Sequence, residues 1–397
     1  MWPRTPLGGL CDAGQYGLNA AALKEGGGVR FIRITDIDAS GQLGGADPAY
    51  VPATTPELDR YELSFGDLLI ARSGATAGKS MLFRGLSERA VFAGYLIRFK
   101  ARADLVLPEY LAYYMQSPAY WRYIRKTARA VAQPNINARE LASLPVPLAP
   151  PTDQRRIVDL LSRAENIVRM RREAESKAKE IIPALFLDMF GDPARNERGW
   201  EVRRLGEIVE RFQGGKNVEA GASGDSEFRI LKISAVTSGK YDELEAKPAP
   251  SGFSPPPHYF VREGDILFSR ANTEELVGAT AMVVSTDGKS LLPDKLWRLV
   301  WRPDARVRPA YMLALLQNRS TRKALSKIAS GTGGSMKNIS QAKLSELRLP
   351  IAPMDAQITF ERNSESVKSL LGGAQRAGTV ADQAFQSLLA GVFGEGA

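Results

Sequence analysis

The segment of this chain that comes nearest to a nucleotide-binding loop is Ser-Gly-Ala-Thr-Ala-Gly-Lys-Ser at 73–80. A phosphate loop needs four residues between its first glycine and the Gly-Lys pair, so that successive amides curl around one phosphate. Only three separate Gly74 from Gly78. The segment therefore reads as a glycine-rich turn whose backbone and Lys79 approach the phosphates of a larger polyanion. No other constellation completes itself. One cysteine, Cys11, and one histidine, His258, exclude an intramolecular disulfide and any His/Cys zinc site. His258 follows the prolines at 255–257 and reads as a loop residue. Asp67 and Asp265 are the acidic pair that recurs at matched places, each in a Gly-Asp turn where the carboxylate serves its own backbone. No glycine-rich cofactor fingerprint follows a strand, and Pro-Asn-Ile-Asn at 134–137 does not supply the Pro-Pro-aromatic tetrapeptide of adenine methyl transfer. The expectation is a chain with no catalytic residue, no metal and no cofactor of its own.

The elements that would position any functional residue come twice. Asn135, Ile136, Leu141, Leu144, Pro147, Pro150 and Gln154 match Asn338, Ile339, Leu344, Leu347, Pro350, Pro353 and Gln357, always 203 positions on. Upstream, Trp2, Tyr61, Gly66, Asp67 and Arg72 match Trp200, Tyr259, Gly264, Asp265 and Arg270 at an offset of 198. Such self-similarity is the mark of a duplicated unit. The stretches around 15–28 and 42–58 scarcely resemble 213–226 and 241–256. One scaffold carrying two loop sets suggests two readers of different targets.

Short β-branched and aromatic runs, among them 31–37, 67–73 and 95–101 with their partners 229–236, 265–271 and 296–301, read as strands bounded by Gly, Pro, Asp and Ser. The runs beginning at Pro108 and Pro309 read as helices with proline at the first helical position. From Thr152 to Phe190 apolar residues recur at steps of three and four, predicting one amphipathic helix packed through Ile157, Leu160, Leu161, Ile181 and Leu185, with a kink at Pro183. Its repeat partner would pack through Leu370, Leu388 and Leu389, broken near Gly372, Gly373 and Gly378.

These readings give a mixed α/β (α+β) fold: two pseudo-repeated recognition domains, 1–150 and 191–353, joined by two long helices at 151–190 and 354–397. With 53 Lys+Arg against 44 Asp+Glu, the net charge of +9 favours a polyanionic partner. No apolar run approaches the roughly 20 residues that span a bilayer, and residues 1–9 lack the pattern of a signal peptide. The expected location is cytoplasmic, with no membrane partner.

The Gly-Asp-Leu/Ile-Leu strand ending in Arg72 or Arg270, the Asn-Ile-x4-Leu-x2-Leu-x2-Pro exit followed by Gln154 or Gln357, and the segment 190–208 that opens the second half form a recognisable set. The chain resembles the specificity (S) subunits of type I restriction-modification enzymes. That resemblance implies a non-catalytic protein reading a bipartite site in double-stranded DNA, one target recognition domain per half, with the two long helices packed antiparallel as spacer. It implies two partner methyltransferase subunits, which use S-adenosylmethionine to methylate adenine, and a translocating nuclease subunit that can join them. The alternative is the same module in another DNA-modifying assembly; a stand-alone methyltransferase or nuclease is disfavoured by the missing motifs.

For contact with DNA the sequence offers Arg72 with Ser73, and Arg270 with Asn272, at the ends of edge-like strands, where arginine pairs with guanine or clamps phosphate. The loops before the exits contribute Arg129, Gln133 and Asn135 in one half and Lys337 and Asn338 in the other. Because Asn135 and Asn338 match across the halves, bracing suits them better than discrimination. Arg33 and Lys232 share a strand position and suit phosphate positioning, as does Lys79.

Overall fold

The computed structural model describes residues 2–23, 28–38, 40–44, 47–128, 134–218, 226–331 and 336–394. The chain divides into two compact units, Met1–Glu173 with Gln375–Ala397, and Ala174–Ala374. The architecture is mixed α/β, and the duplication extends to the order of the strands. The first unit has an antiparallel four-stranded sheet in the order Gln15–Tyr16, Leu96–Lys100, Asp67–Ala71, Ser80–Leu82. The second unit repeats it as Val209–Gln213, Leu296–Trp301, Ile266–Ser269, Thr280–Met282. A three-stranded sheet accompanies each, Tyr50–Pro52, Gly28–Ile32, Ala90–Phe92 in one and Ala246–Pro248, Arg229–Leu231, Ser290–Leu291 in the other. The strands leading to Arg72 and Arg270 thus lie inside their sheets and not at an edge.

The run beginning at Pro108 is two helices, Pro108–Tyr114 and Pro118–Thr127, because Ser117 caps the second and Pro118 starts it. The matching run splits at Asn318, which caps Arg319–Ile328.

The matched glutamines explain why the exits repeat. Gln154 is buried, accepts from the Leu107 amide at 2.9 Å and donates to the carbonyls of Ala149 and Leu105 at 2.8 and 3.1 Å. Gln357 accepts from Arg308 N at 2.7 Å and donates to Ala352 O at 2.7 Å. Leu107 and Arg308 are the caps of the proline-led helices, so each glutamine ties a long helix to the body of its unit through backbone groups that would otherwise be buried unpaired. Tyr110 and Tyr311 do the same, donating to Pro147 O at 2.6 Å and Pro350 O at 2.8 Å.

The long helices reverse the expectation about which one breaks. The first runs over Pro151–Ala178 and resumes at Ile181–Phe190, interrupted at Lys179 and Glu180, where Pro183 has no N–H to give the Lys179 carbonyl. The second is continuous over 40 residues, Met354–Phe393, despite Gly372, Gly373 and Gly378. Each glycine costs about 1 kcal/mol relative to alanine. Burial of Phe360 towards one end, and of Phe385, Leu389 and Phe393 towards the other, gives about 1.5–3 kcal/mol per side chain and outweighs that cost.

Burial along the helices recurs at Gln154, Ile157, Leu161 and Val168, and at Gln357, Phe360, Ser364, Phe385 and Leu389. In each helix the first intervals are three and four and the next is a multiple of seven, the spacing of a seam and not of a broad face. Leu160 and Leu370, each one residue off the seam, are rotated about 100° away from it and stand exposed, Leu370 at 75%. Ile181 is also exposed, because the helix restarts there in a new phase. Expected packing at these three residues is therefore not found; Ile157, Leu161 and Leu389 are buried, and Leu185 and Leu388 lie at the rim of their cores.

Within the first unit the two helix segments run antiparallel. Arg172 bonds Asp382 at 2.7 Å, Tyr113 links Glu165 (2.8 Å) to the ring of Phe385, and Phe393 packs on Tyr110 and Tyr114. Among the described residues no helix is long and apolar enough to cross a membrane.

Candidate nucleic-acid interface

In each unit the strand that follows the Gly-Asp turn delivers an arginine to the same junction. Ala71 pairs with Leu96, after which the Arg72 amide donates to Tyr95 O at 3.0 Å and its carbonyl accepts from Ile136 N at 2.8 Å. Ser73 bridges Asn135, and Gly74 N donates to Pro134 O at 3.0 Å. The exit loop is thereby laid beside the glycine-rich turn, anchored by fully buried Ile136. In the second unit Arg270 N donates to Lys295 O at 3.1 Å and Arg270 O accepts from Ile339 N at 2.8 Å. Ala271 pairs with Asn338 and Asn272 with Lys337 in a short antiparallel ladder. The fold therefore brings Arg72, Ser73 and Asn135 together, and likewise Arg270, Asn272, Lys337 and Asn338.

Their side chains are not equally available. The Arg72 guanidinium lies over the ring of Tyr16, 4.8 Å from its centroid, with its Nε buried and unpartnered. Arg270 lies over Trp297, donates from Nε to Asp294 O at 2.9 Å and from Nη1 to Asn338 Oδ1 at 3.0 Å, and stands 3.7 Å from the Asp294 carboxylate. Asn338 thus braces Arg270. Asn272 is buried and accepts from the Thr273 amide, and Lys337 sits 3.8 Å from Glu274.

Three expected phosphate contacts are engaged elsewhere. Lys79 donates to the carbonyl of Ile37, which also bridges Leu43. Arg33 grips buried Asp36 through Nε at 3.2 Å and Nη2 at 3.0 Å; this hydrogen-bonded carboxylate raises the guanidinium above its ordinary pKa. Lys232 stands 3.9 Å from Glu245 and is half exposed. Lys79 and Arg33 are braces in this geometry. Arg129 and Gln133 lie outside the described residues.

The glycine-rich turn closes on itself. Gly78 N donates to Ala71 O at 2.8 Å, and Gly78 adopts φ +89° with the side chain of Ile124 2.5 Å from where a Cβ would stand, so only glycine fits. Among the described residues no group of three or more His, Cys, Asp or Glu could hold a metal ion.

The description of the type I restriction modification DNA specificity domain matches residues 2–179. The EcoEI type I restriction enzyme specificity subunit of Escherichia coli is 29% identical over 229 residues, covering 55% of this chain and 38% of that protein. The putative MjaX specificity subunit of Methanocaldococcus jannaschii is 26% identical over 251 residues, with 61% and 56% covered. The alignments thus span less than two thirds of these two relatives. The MjaVIII specificity subunit of the same archaeon is 21% identical over 343 residues, 82% of this chain and 77% of its own.

Through residues 2–179 the chain is similar to the type I restriction modification DNA specificity domain.

Solved structures agree on the fold. A chain from a study of type I restriction-modification complex assembly and conformational transition superposes with a TM-score of 0.60 at 18% identity, covering 99% of this chain and 97% of that one. The type I S subunit of M. genitalium gives 0.55 at 12% identity, covering 100% and 96%.

In this chain the sequence reading missed one repeated pair. Buried Arg98 contacts Asp67 at 3.1 Å and also holds the carbonyls of Glu62 and Arg60; Arg298 contacts Asp265 at 2.8 Å and holds those of Phe260 and His258. Each Gly-Asp carboxylate, which also accepts a backbone amide three residues upstream, thus has a guanidinium partner. Two arginines in matched positions of apolar strands were the available signal. Arg98→Ala should leave Asp67 buried without its counter-charge and cost about 3–5 kcal/mol. Thermal unfolding checks this, and a loss below 1 kcal/mol would show that water replaces the guanidinium.

Proposed function

We propose that this chain reads a bipartite site in double-stranded DNA without catalysing a reaction itself. One half-site belongs to the recognition domain at 1–150 and the other to that at 191–353. The helical segments at 151–190 and 354–397 act as spacer. Two methyltransferase subunits, which bring S-adenosylmethionine, and a translocating nuclease subunit are the partners, and cytoplasmic DNA is the substrate they modify. The observation that carries this reading is the recurrence of one strand-and-exit-loop junction in both units with different side chains at its mouth: Arg72 with Tyr16 in one, Arg270 with Asn338 and Asp294 in the other. A fixed scaffold with different side chains at matched positions is what reading two unlike sequences requires.

Selection of the purified chain on randomised duplex DNA tests it. Two short sequences separated by an unread gap should be enriched, and affinity should fall with salt at a log–log slope of roughly 0.9 per phosphate neutralised. Enrichment of one uninterrupted sequence would contradict the two-reader arrangement, and methyl transfer to DNA by the chain alone would contradict its silence.

A further inference from the structure

The matched arginines invite the assumption that both read bases, but their surroundings differ. Arg270 has part of its donor set committed to the protein: Asp294 takes Nε through its carbonyl and faces Nη2 with its carboxylate at 3.7 Å, and Asn338 takes one Nη1 proton. The position of Asp294 is Gly94 in the first unit. There the Arg72 side chain makes no hydrogen bond or ion pair with any described residue and lies over the ring of Tyr16. The next residue differs in the complementary sense. Tyr95 and Lys295 occupy equivalent places, since their carbonyls accept the amides of Arg72 and Arg270 at 3.0 and 3.1 Å. Tyr95 is 65% exposed beside the open arginine. Lys295 is half-buried beside the neutralised one, and its ammonium has no partner among the described residues.

We propose that the base-reading cation changes place between the units: Arg72 in the first and Lys295 in the second, with Arg270 a brace. Arg72 presents its remaining N–H groups to guanine O6 and N7, flanked by the apolar ring of Tyr95 against the neighbouring base. Lys295 donates to the same guanine edge from the turn. Both side chains sit where a cation with unspent donors meets solvent, and a major-groove guanine is the base edge with two acceptors to offer. The inference rests on the DNA-reading function proposed above.

Selection on randomised duplex DNA, with Arg72→Ala, Lys295→Ala, Arg270→Ala and Tyr95→Lys compared with the unmodified chain, tests it. Arg72→Ala should relax one guanine in one half-site and Lys295→Ala one guanine in the other, each losing about 5- to 150-fold discrimination there. Arg270→Ala should lower the unfolding temperature yet keep the selected sequence, and Tyr95→Lys should alter preference only in the half-site changed by Arg72→Ala. If Lys295→Ala weakens all sequences equally, or Arg270→Ala is the variant that relaxes a base, the assignment is overturned. If the unmodified chain selects a motif that Arg72→Ala and Lys295→Ala leave unchanged, this inference fails while the DNA-reading function stands. If the unmodified chain selects nothing, both fall.

Discussion

Phe393→Ala should destabilise the unit that begins at residue 1, although the substitution lies at the far end of the chain. Phe393 is 1% exposed and packs edge-on against Tyr110 and Tyr114 at 5.3 and 5.5 Å between centroids. Removing a buried phenylalanine ring costs about 3–5 kcal/mol, and the tyrosines have hydrogen bonds to keep and cannot collapse into the space. Phe190 is its repeat, buried against Tyr311 at 4.9 Å and Phe360 at 5.5 Å. Hydrogen exchange should therefore show lost protection in 108–114 for Phe393→Ala and in 309–317 for Phe190→Ala. The reverse pattern, or loss in both segments from either variant, would show that the helix ends are not assigned to the units as described.

Lengthening both helices together should change the spacing of the DNA site and nothing else about it. Seven residues inserted between Glu173 and Ala174, and seven between Ala374 and Gln375, preserve the three-four seam on either side. Each insertion adds about 10.5 Å of helix, close to three base-pair steps of roughly 3.4 Å. Duplex selection should return the same two half-sites with a gap three base pairs longer. Insertion into one helix alone should instead unseat that helix from its unit, because each unit holds the first part of one helix and the last part of the other. An active, doubly lengthened protein with an unchanged gap would mean that the helices serve docking and do not measure distance.

Much of the fold was legible because duplication supplies an internal control. Gln154 with Gln357, and Pro147 with Pro350, stood out by their constant offset, and each proved to sit at a helix-to-body joint where buried backbone groups need partners. The seam was harder to read. Leu160 and Leu370 are as apolar as Leu161 and Leu371, and nothing in residue type distinguishes neighbours that differ by 100° around a helix. The continuity of the second helix was hidden for a related reason: glycine propensity is local, while the burial that overrides it comes from Phe360, Phe385 and Leu389, far apart in sequence. At the candidate interface, residue type gave donors but not their occupancy. Lys79 and Arg33 look like free cations until Ile37 O and Asp36 are seen beside them, and Lys295 drew no notice because the matched arginine overshadowed it.

The placement of Phe385, Leu389 and Phe393 in the core of the first unit sets a schedule for biosynthesis. Tyr110, Tyr113 and Tyr114 leave the ribosome early, yet the side chains that cover them are more than 250 residues away in sequence. At roughly 5–20 residues per second, that interval lasts on the order of 10–50 s. The amino-terminal unit, first to be made, is in this respect among the last to be finished. Through that interval the faces of Tyr110, Tyr113 and Tyr114 that meet Phe385 and Phe393 lack the cover those rings give.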